Sequence, residues 1–317
     1  MLGTLAGGEG VGALMADFRT VGRELSNWGR WGKDDEIGTV NLITPDRVAA
    51  GAALARTGRV FDLGYTLGAN GPQVGLGGRI NPVHLMSVTG EPRLPDGGGF
   101  SDDFIFMPLQ CATQWDGLAH VFYDDRCYND VPASTITARG AARLSIDRLA
   151  RGIVGRGVLL DIAALHGVDH LSAEQGIGPD DLDAAIGRQG VEVRPGDVLL
   201  VRTGWRQVFT QDSAEAFMAN EPGLTLDCCR WLHERDVAAL AVDNWAVEKY
   251  PSGLDDARLP VHYVLIRDMG MTLGEMFDLE VLAQDCAADG VWEFLLCAPV
   301  LKFANAVGTP LNPLAIK

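Results

Sequence analysis

Apolar residues along this chain fall in short runs separated by polar, turn-rich segments. Gly157–Ile162, Val198–Arg202 and Val237–Val242 are nearly uninterrupted apolar stretches, the pattern of central strands covered on both faces. Arg59–Leu63, Phe104–Leu109 and Met271–Met276 read as further strands, and Leu301 opens an apolar strand before a Pro-rich tail. Helical segments lie between them. Thr44-Pro45-Asp46 supplies an N-cap and a proline at the first helical position, so a helix runs from Arg47 to Arg56 and stops near Gly58. Ser145–Arg151 and Asp227–Arg235 are helical, Ser172 and the acids Asp180, Asp181 and Asp183 mark others, and His262–Met269 ends at Gly270. Gly64–Phe100, rich in Gly and Pro, reads as one long irregular excursion. Strands alternating with helices make the class α/β. No repeat or linker divides the chain, so residues 1–317 read as one domain behind an N-terminal arm of about residues 1–26.

One stretch breaks the apolar pattern. In Gln110-Cys111-Ala112-Thr113-Gln114-Trp115-Asp116-Gly117-Leu118-Ala119-His120, the polar residues Gln110, Gln114, Asp116 and His120 stand at even offsets. Extended backbone sends such positions to one face, so an acid, an imidazole and two carboxamides converge. A buried polar row requires partners, which a metal ion or a substrate supplies. Far along the chain, His262 opens a helix and Glu275 lies in the strand that returns from it, a placement that lets the two approach. Arg202, at a strand end, stands where α/β proteins often contact ligands. Trp28 and Trp31 suit the wall of an apolar pocket or an oligomer interface.

Composition narrows the possibilities. The formal net charge is −16, and no Lys/Arg run occurs, which disfavours nucleic acid and anionic membrane surfaces as partners. No apolar run approaches the roughly 20 residues of a membrane span, and the acid-bearing N-terminus lacks a basic leader, so a cytoplasmic location is expected. The six cysteines form no zinc-finger spacing and read as reduced, mostly buried thiols. No nucleophile elbow, phosphate-binding loop or H-E-x-x-H motif is present.

Taken with its flanks, the stretch resembles the cyclase and kynurenine formamidase-like family of metal-dependent hydrolases, whose motif is H-x-G-T-H-x-D-x-P-x-H. The likeness extends over nearly the whole chain. It includes N-W-G-R-W-G-K-D-D-E-I-G-T-V-N-L from Asn27, R-G-V-L-L-D-I from Arg156 and P-G-D-V-L-L-V-R-T-G-W from Pro195. Pro260-Val261-His262, Gly274-Glu275 and T-P-L-N-P-L-A from Thr309 complete it. The resemblance implies a swivelling β/β/α fold and a homo-oligomer, a dimer or tetramer. It implies metal ligation by Asp116, His262 and Glu275, and His120 as acid/base. It also implies hydrolysis of an amide, imide or lactam C–N bond in a small cyclic or aromatic substrate. Gln110 and Gln114 replace the two leading histidines of the motif. A carboxamide oxygen is a weaker donor than imidazole and suits harder cations. The expected cofactor is therefore one Mn²⁺ or Zn²⁺ ion, with help from Gln114. Gln110, Trp115, Trp28, Trp31 and Arg202 are the expected substrate contacts. Two alternatives stand beside this reading: a natural-product cyclase or dehydratase using His120 without metal, and a catalytically lapsed ligand-binding protein.

Overall fold

The computed structural model describes residues 17–91, 93–255 and 257–317. The apolar runs become strands β1 (Val60–Asp62), β2 (Val83–Val88), β3 (Asp102–Phe106), β4 (Gln114–Asp116), β5 (Val154–Asp161) and β6 (Val198–Arg202). Beyond them lie β7 (Ala239–Val242), β8 (Thr272–Glu275), β9 (Glu293–Cys297), β10 (Gly308–Pro310) and β11 (Leu314–Ile316). Nine of these form one mixed sheet in the order β1-β11-β9-β5-β6-β7-β8-β4-β10. Its centre, β5 to β8, is parallel, and the pairings flanking that centre are antiparallel.

The central runs are apolar throughout because both faces are covered. Val158, Leu160, Leu199, Val201, Leu240, Val242 and Leu273 point to one side. There they meet helices α1 (Phe18–Glu24), α3 (Pro179–Gln189) and α4 (Cys228–Glu234). The alternate residues Leu159, Val198, Leu200, Ala239 and Ala241 meet Leu282, Ala283 and Cys286 of helix α6 (Glu280–Asp289) on the other side. Helix α2 (Pro45–Ala52) begins as its sequence dictates, with the Thr44 hydroxyl accepting from Arg47 N–H. Helix α5 (Pro260–His262) starts on Pro260 and continues as a π-helical turn, Tyr263–Asp268.

Several expectations are corrected. The excursion Gly64–Phe100 is not wholly irregular, since it carries β2, which pairs with β3 in a separate hairpin. Ser145–Arg151 contracts to a 3₁₀ turn, Ile146–Leu149, and no strand forms at Leu301; the chain returns to the sheet only at β10 and β11. Residues 1–16 of the expected arm lie outside the described residues, and α1 follows them.

Candidate active site

The site forms where β8 ends and β4 begins, at the carboxyl ends of the parallel strands. Glu275 is opposite Gln114, and Asp116 is opposite Leu273, so Gln114, Asp116 and Glu275 share one face of the sheet. Helix α5 sets His262 over that face. Ligand atoms of Asp116, His262 and Glu275 lie within 4.8 Å of one another, and all three residues are buried. His262 Nε2 is 3.2 Å from Glu275 Oε1 and 3.9 Å from Asp116 Oδ2. Gln114 donates from Nε2 to Glu275 Oε2 at 2.6 Å and to Asp116 Oδ1 at 3.3 Å, bridging the two carboxylates. Its Oε1 is buried without a protein partner.

His120 and Gln110 reach the cluster by a different route from the one strand periodicity suggests. Only Gln114–Asp116 is extended; turns at Gln110 and after Gly117 bring in the other two. His120 Nε2 stands 3.7 Å from Asp116 Oδ1, with 20% of its side chain exposed, so its ring forms the open edge of an otherwise enclosed cluster. Gln110 Nε2 is buried without a partner. It lies where a side chain at Gly308 would stand: a Cβ there would meet it at 2.5 Å. Gly308 is opposite Asp116 in β10, which places the Gln110 amide beside the same face.

Glu248 was not anticipated. Its Oε1 accepts from His262 Nδ1 at 2.7 Å and from His262 N–H at 2.8 Å, while Oε2 accepts from Val261 N–H at 3.0 Å. This fixes the imidazole with Nε2 toward Asp116 and Glu275, the arrangement in which a carboxylate orients a ligating histidine. A second unanticipated acid, Glu221, is fully buried and accepts from the N–H groups of Trp245 and Ala246, each at 2.7 Å. The residues adjoining two of these carboxylates are conformationally costly. Val247 (φ 62°) precedes Glu248 and Met276 (φ 56°) follows Glu275, and such left-handed backbone concentrates at functional sites. The only sequence signal for Glu248 is an acid inside an apolar segment, Trp245-Ala246-Val247-Glu248.

Burial sets the electrostatics. It pushes the Glu275 carboxyl up to about 7, an effect reinforced by the neighbouring Asp116 charge. Burial acts to lower His262, but its hydrogen bonds and charge contacts with Glu248 and Glu275 prevail and raise it to about 10. For His120 burial prevails over the attraction of Asp116, and the Arg79 guanidinium and His262 add to the lowering. His120 is thus a neutral imidazole at neutral pH.

Four expected substrate contacts do not join the cluster. Trp115, at an odd offset from Gln114, points to the opposite face, where its ring packs on Phe277 and its Nε1–H donates to Ala298 O at 3.0 Å. Arg202 is a buried structural cation paired with Asp161 and Glu280. Trp28 donates to Arg267 O at 2.8 Å and stacks under the Arg267 guanidinium. Trp31 lies against Arg30 on the surface.

A nine-stranded α/β sheet carrying a buried carboxylate–imidazole cluster at its parallel strand ends defines the class. Within it the chain belongs to the cyclase family: the family model described as a putative cyclase matches residues 61–249. A solved structure described as a novel cyclase is 39% identical, with a TM-score of 0.87, covering 93% of this chain and 99% of its own. Isatin hydrolase A from Ralstonia solanacearum shares the fold at 22% identity and a TM-score of 0.63, with 86% of this chain and 97% of that one covered. A predicted metal-dependent hydrolase from Bacillus stearothermophilus shares it at 17% identity and a TM-score of 0.53, with 82% and 98% covered. No curated protein sequence matches the chain.

The donor set fits a divalent cation. Two buried carboxylates and an imidazole are within reach of one point, a mixed oxygen and nitrogen donor set of the kind that holds such an ion. Among the described residues this is the one His/Cys/Asp/Glu cluster with such geometry.

Proposed function

We propose that the chain is a metal-dependent hydrolase that opens an amide, imide or lactam C–N bond in a small cyclic or aromatic substrate. The observation carrying this reading is the juxtaposition of His120, largely buried but with an exposed edge, with the buried Asp116–His262–Glu275 cluster. Asp116, His262 and Glu275, with Gln114, would hold one Mn²⁺ or Zn²⁺ ion, which supplies Lewis acidity and lowers the pKa of a water. His120, kept neutral by burial, takes the proton of the attacking water and returns it to the departing nitrogen. Gln110 Nε2, a free donor beside the cluster, binds the substrate carbonyl oxygen. Glu248 holds the His262 ring in place throughout.

Isatin and N-formylkynurenine are suitable probes. Chelator-treated protein reloaded with Mn²⁺ or Zn²⁺ is expected to open one of them. His120→Ala is expected to lower kcat by about 10²–10⁴-fold while leaving metal content unchanged. Absence of turnover on any amide, lactam or ester with either ion would overturn the reading. One observation favours a second reading, a metal-free cyclase or dehydratase. The Gln114 amide already bridges Asp116 and Glu275 and holds the carboxylates together without an ion. Activity that survives exhaustive chelation selects that reading.

A further inference from the structure

Glu221 is a carboxylate that the proposed reaction leaves without a task. It is fully buried, and its side chain accepts only from Trp245 N–H and Ala246 N–H; among the described residues no cationic side chain bonds to it. A buried carboxylate without a cation is costly, so these two bonds must achieve something that a neutral side chain would not. Two successive N–H groups aimed at one place need two acceptor atoms, which a carboxylate offers and a carboxamide does not. Trp245 and Ala246 belong to the loop that leaves β7 and runs on to Glu248. The loop turns sharply there. Asn244 Oδ1 accepts from Val247 N–H at 2.9 Å, and Asn244 Nδ2 donates to Pro222 O at 2.7 Å. Val247 takes φ 62°, a left-handed backbone that a β-branched residue keeps only where its surroundings impose it. The segment carrying Glu221 imposes it. Glu221 N–H donates to Tyr250 O at 2.9 Å, Tyr250 N–H returns to Glu221 O at 3.0 Å, and Leu224 N–H donates to Val247 O at 3.1 Å. Gly223 lies so close that a side chain there would collide with the Glu248 carbonyl group. The turn therefore hands Glu248 directly to His262 Nδ1, 2.7 Å away.

We propose, on the reading of His262 as a metal ligand, that Glu221 is a positioning residue of the active site: it holds residues 245–247 in the turn that delivers Glu248 to His262 Nδ1, and so keeps His262 Nε2 aimed at Asp116 and Glu275. Glu221 bonds to no member of the ligand cluster, so its influence passes through the backbone. Three links stand in series. The Glu221 carboxylate holds two N–H groups, the chain continues through Val247, and the Glu248 carboxylate holds the imidazole. Release of the first link lets Val247 relax out of its left-handed conformation and carries Glu248 with it. The Nδ1 contact then lengthens, and the ring is no longer fixed in the direction that ligation requires.

The test uses the full chain freed of metal by chelator, as wild type, Glu221→Gln, Glu248→Gln and the double variant. One readout is the solvent-protected Nδ1–H resonance of His262 in ¹⁵N-histidine-labelled protein, identified by its loss in Glu248→Gln. The other is Mn²⁺ affinity by calorimetric titration. Glu221→Gln turns an amide NH₂ group against a backbone N–H, and it is expected to abolish the protection of that resonance and to weaken Mn²⁺ binding about 10-fold. The double variant is expected to bind no more weakly than Glu248→Gln alone, because links in series do not add. Leu282→Ala, a cavity in the core on the far side of the sheet, is expected to lower the melting temperature and leave both readouts unchanged. Glu221→Asp, with both oxygens on a shorter stem, takes the place of Glu221→Gln in the cycle if that variant does not fold. A resonance that stays protected in folded Glu221→Gln protein overturns the proposal, as do affinity losses that add in the double variant or a Leu282→Ala protein that reproduces them. Wild type that binds no Mn²⁺ removes the metal reading, and the resonance in metal-free protein then decides for or against Glu221 by itself.

Discussion

Each buried acid around the site is held by donors of the protein itself. Gln114 serves Asp116 and Glu275, two helical N–H groups and an imidazole serve Glu248, and two loop N–H groups serve Glu221. The His262 imidazole and the Arg79 guanidinium are the cationic groups that act on this cluster, and a divalent ion would add positive charge among its carboxylates. The role of Glu248 can be separated from that of the ligands. Glu248→Gln keeps the size of the side chain but weakens the hold on His262 Nδ1. Calorimetric titration of the chelator-treated variant is expected to show metal affinity about 10–100-fold below wild type, with the fold intact by circular dichroism. Unchanged affinity would remove Glu248 from the orienting role. The residue pattern made Asp116, His120, His262 and Glu275 legible because each is a polar interruption of an apolar context. It misplaced Trp115 as a substrate contact, although the odd offset from Asp116 already sent that indole to the opposite face. Arg202 misled for a different reason: a strand-end cation reads the same whether it meets a ligand or, as here, two buried acids.

At the level of elements, β4 is a three-residue strand inserted between β8 and β10, and its fit depends on glycine. Trp115 is opposite Gly274, where a Cβ would meet the Ala241 Cβ and the Trp115 ring, each at 2.7 Å. The space that the missing side chain leaves is filled by the indole, and that packing holds β4 against β8 in the register that joins Gln114 to Glu275. Gly274→Ala is therefore expected to cost about 1–3 kcal/mol in urea unfolding. It is also expected to weaken metal binding, because the ligands on the two strands move apart. A variant as stable as wild type would contradict this packing. The strands of the parallel centre were readable from sequence because both faces are apolar, and α2 because its cap and proline are local signals. The β2 strand was hidden for a physical reason. Its residues pack mainly on one other strand, and Gly and Pro on either side mask a six-residue alternation. The 3₁₀ and π turns at Ile146–Leu149 and Tyr263–Asp268 depend on tertiary packing that sequence periodicity does not register.

Across the whole molecule, the sheet ends at one side on β1, paired with β11, and Lys317, which follows β11, is tied into α6. Lys317 Nζ donates to Asp285 Oδ2 at 2.8 Å and to Asp289 Oδ1 at 2.7 Å, and Arg59 pairs with the same two acids. Partial burial acts to raise the Asp289 carboxyl, but the Lys317 ammonium, the Val291 N–H and Arg59 outweigh it and hold it near 2. Since this folded value lies below the ordinary 3.8, the stabilisation is present above about pH 4 and is lost as pH falls toward 2. Lys317→Ala is expected to flatten the fall in melting temperature between those limits; an acid limb identical to wild type would contradict the tie. No described helix is long and apolar enough to cross a membrane. Among the described residues the buried Asp116–His262–Glu275 group is the one cluster able to hold a metal ion, and the proposed reaction rests on it and on His120 beside it. The most direct measurement on that centre is calorimetric titration of Mn²⁺ into chelator-treated protein, for wild type and for Asp116→Ala. One ion per chain in wild type, lost in Asp116→Ala, is the expected result. No binding to wild type, or binding that Asp116→Ala leaves unchanged, would contradict it.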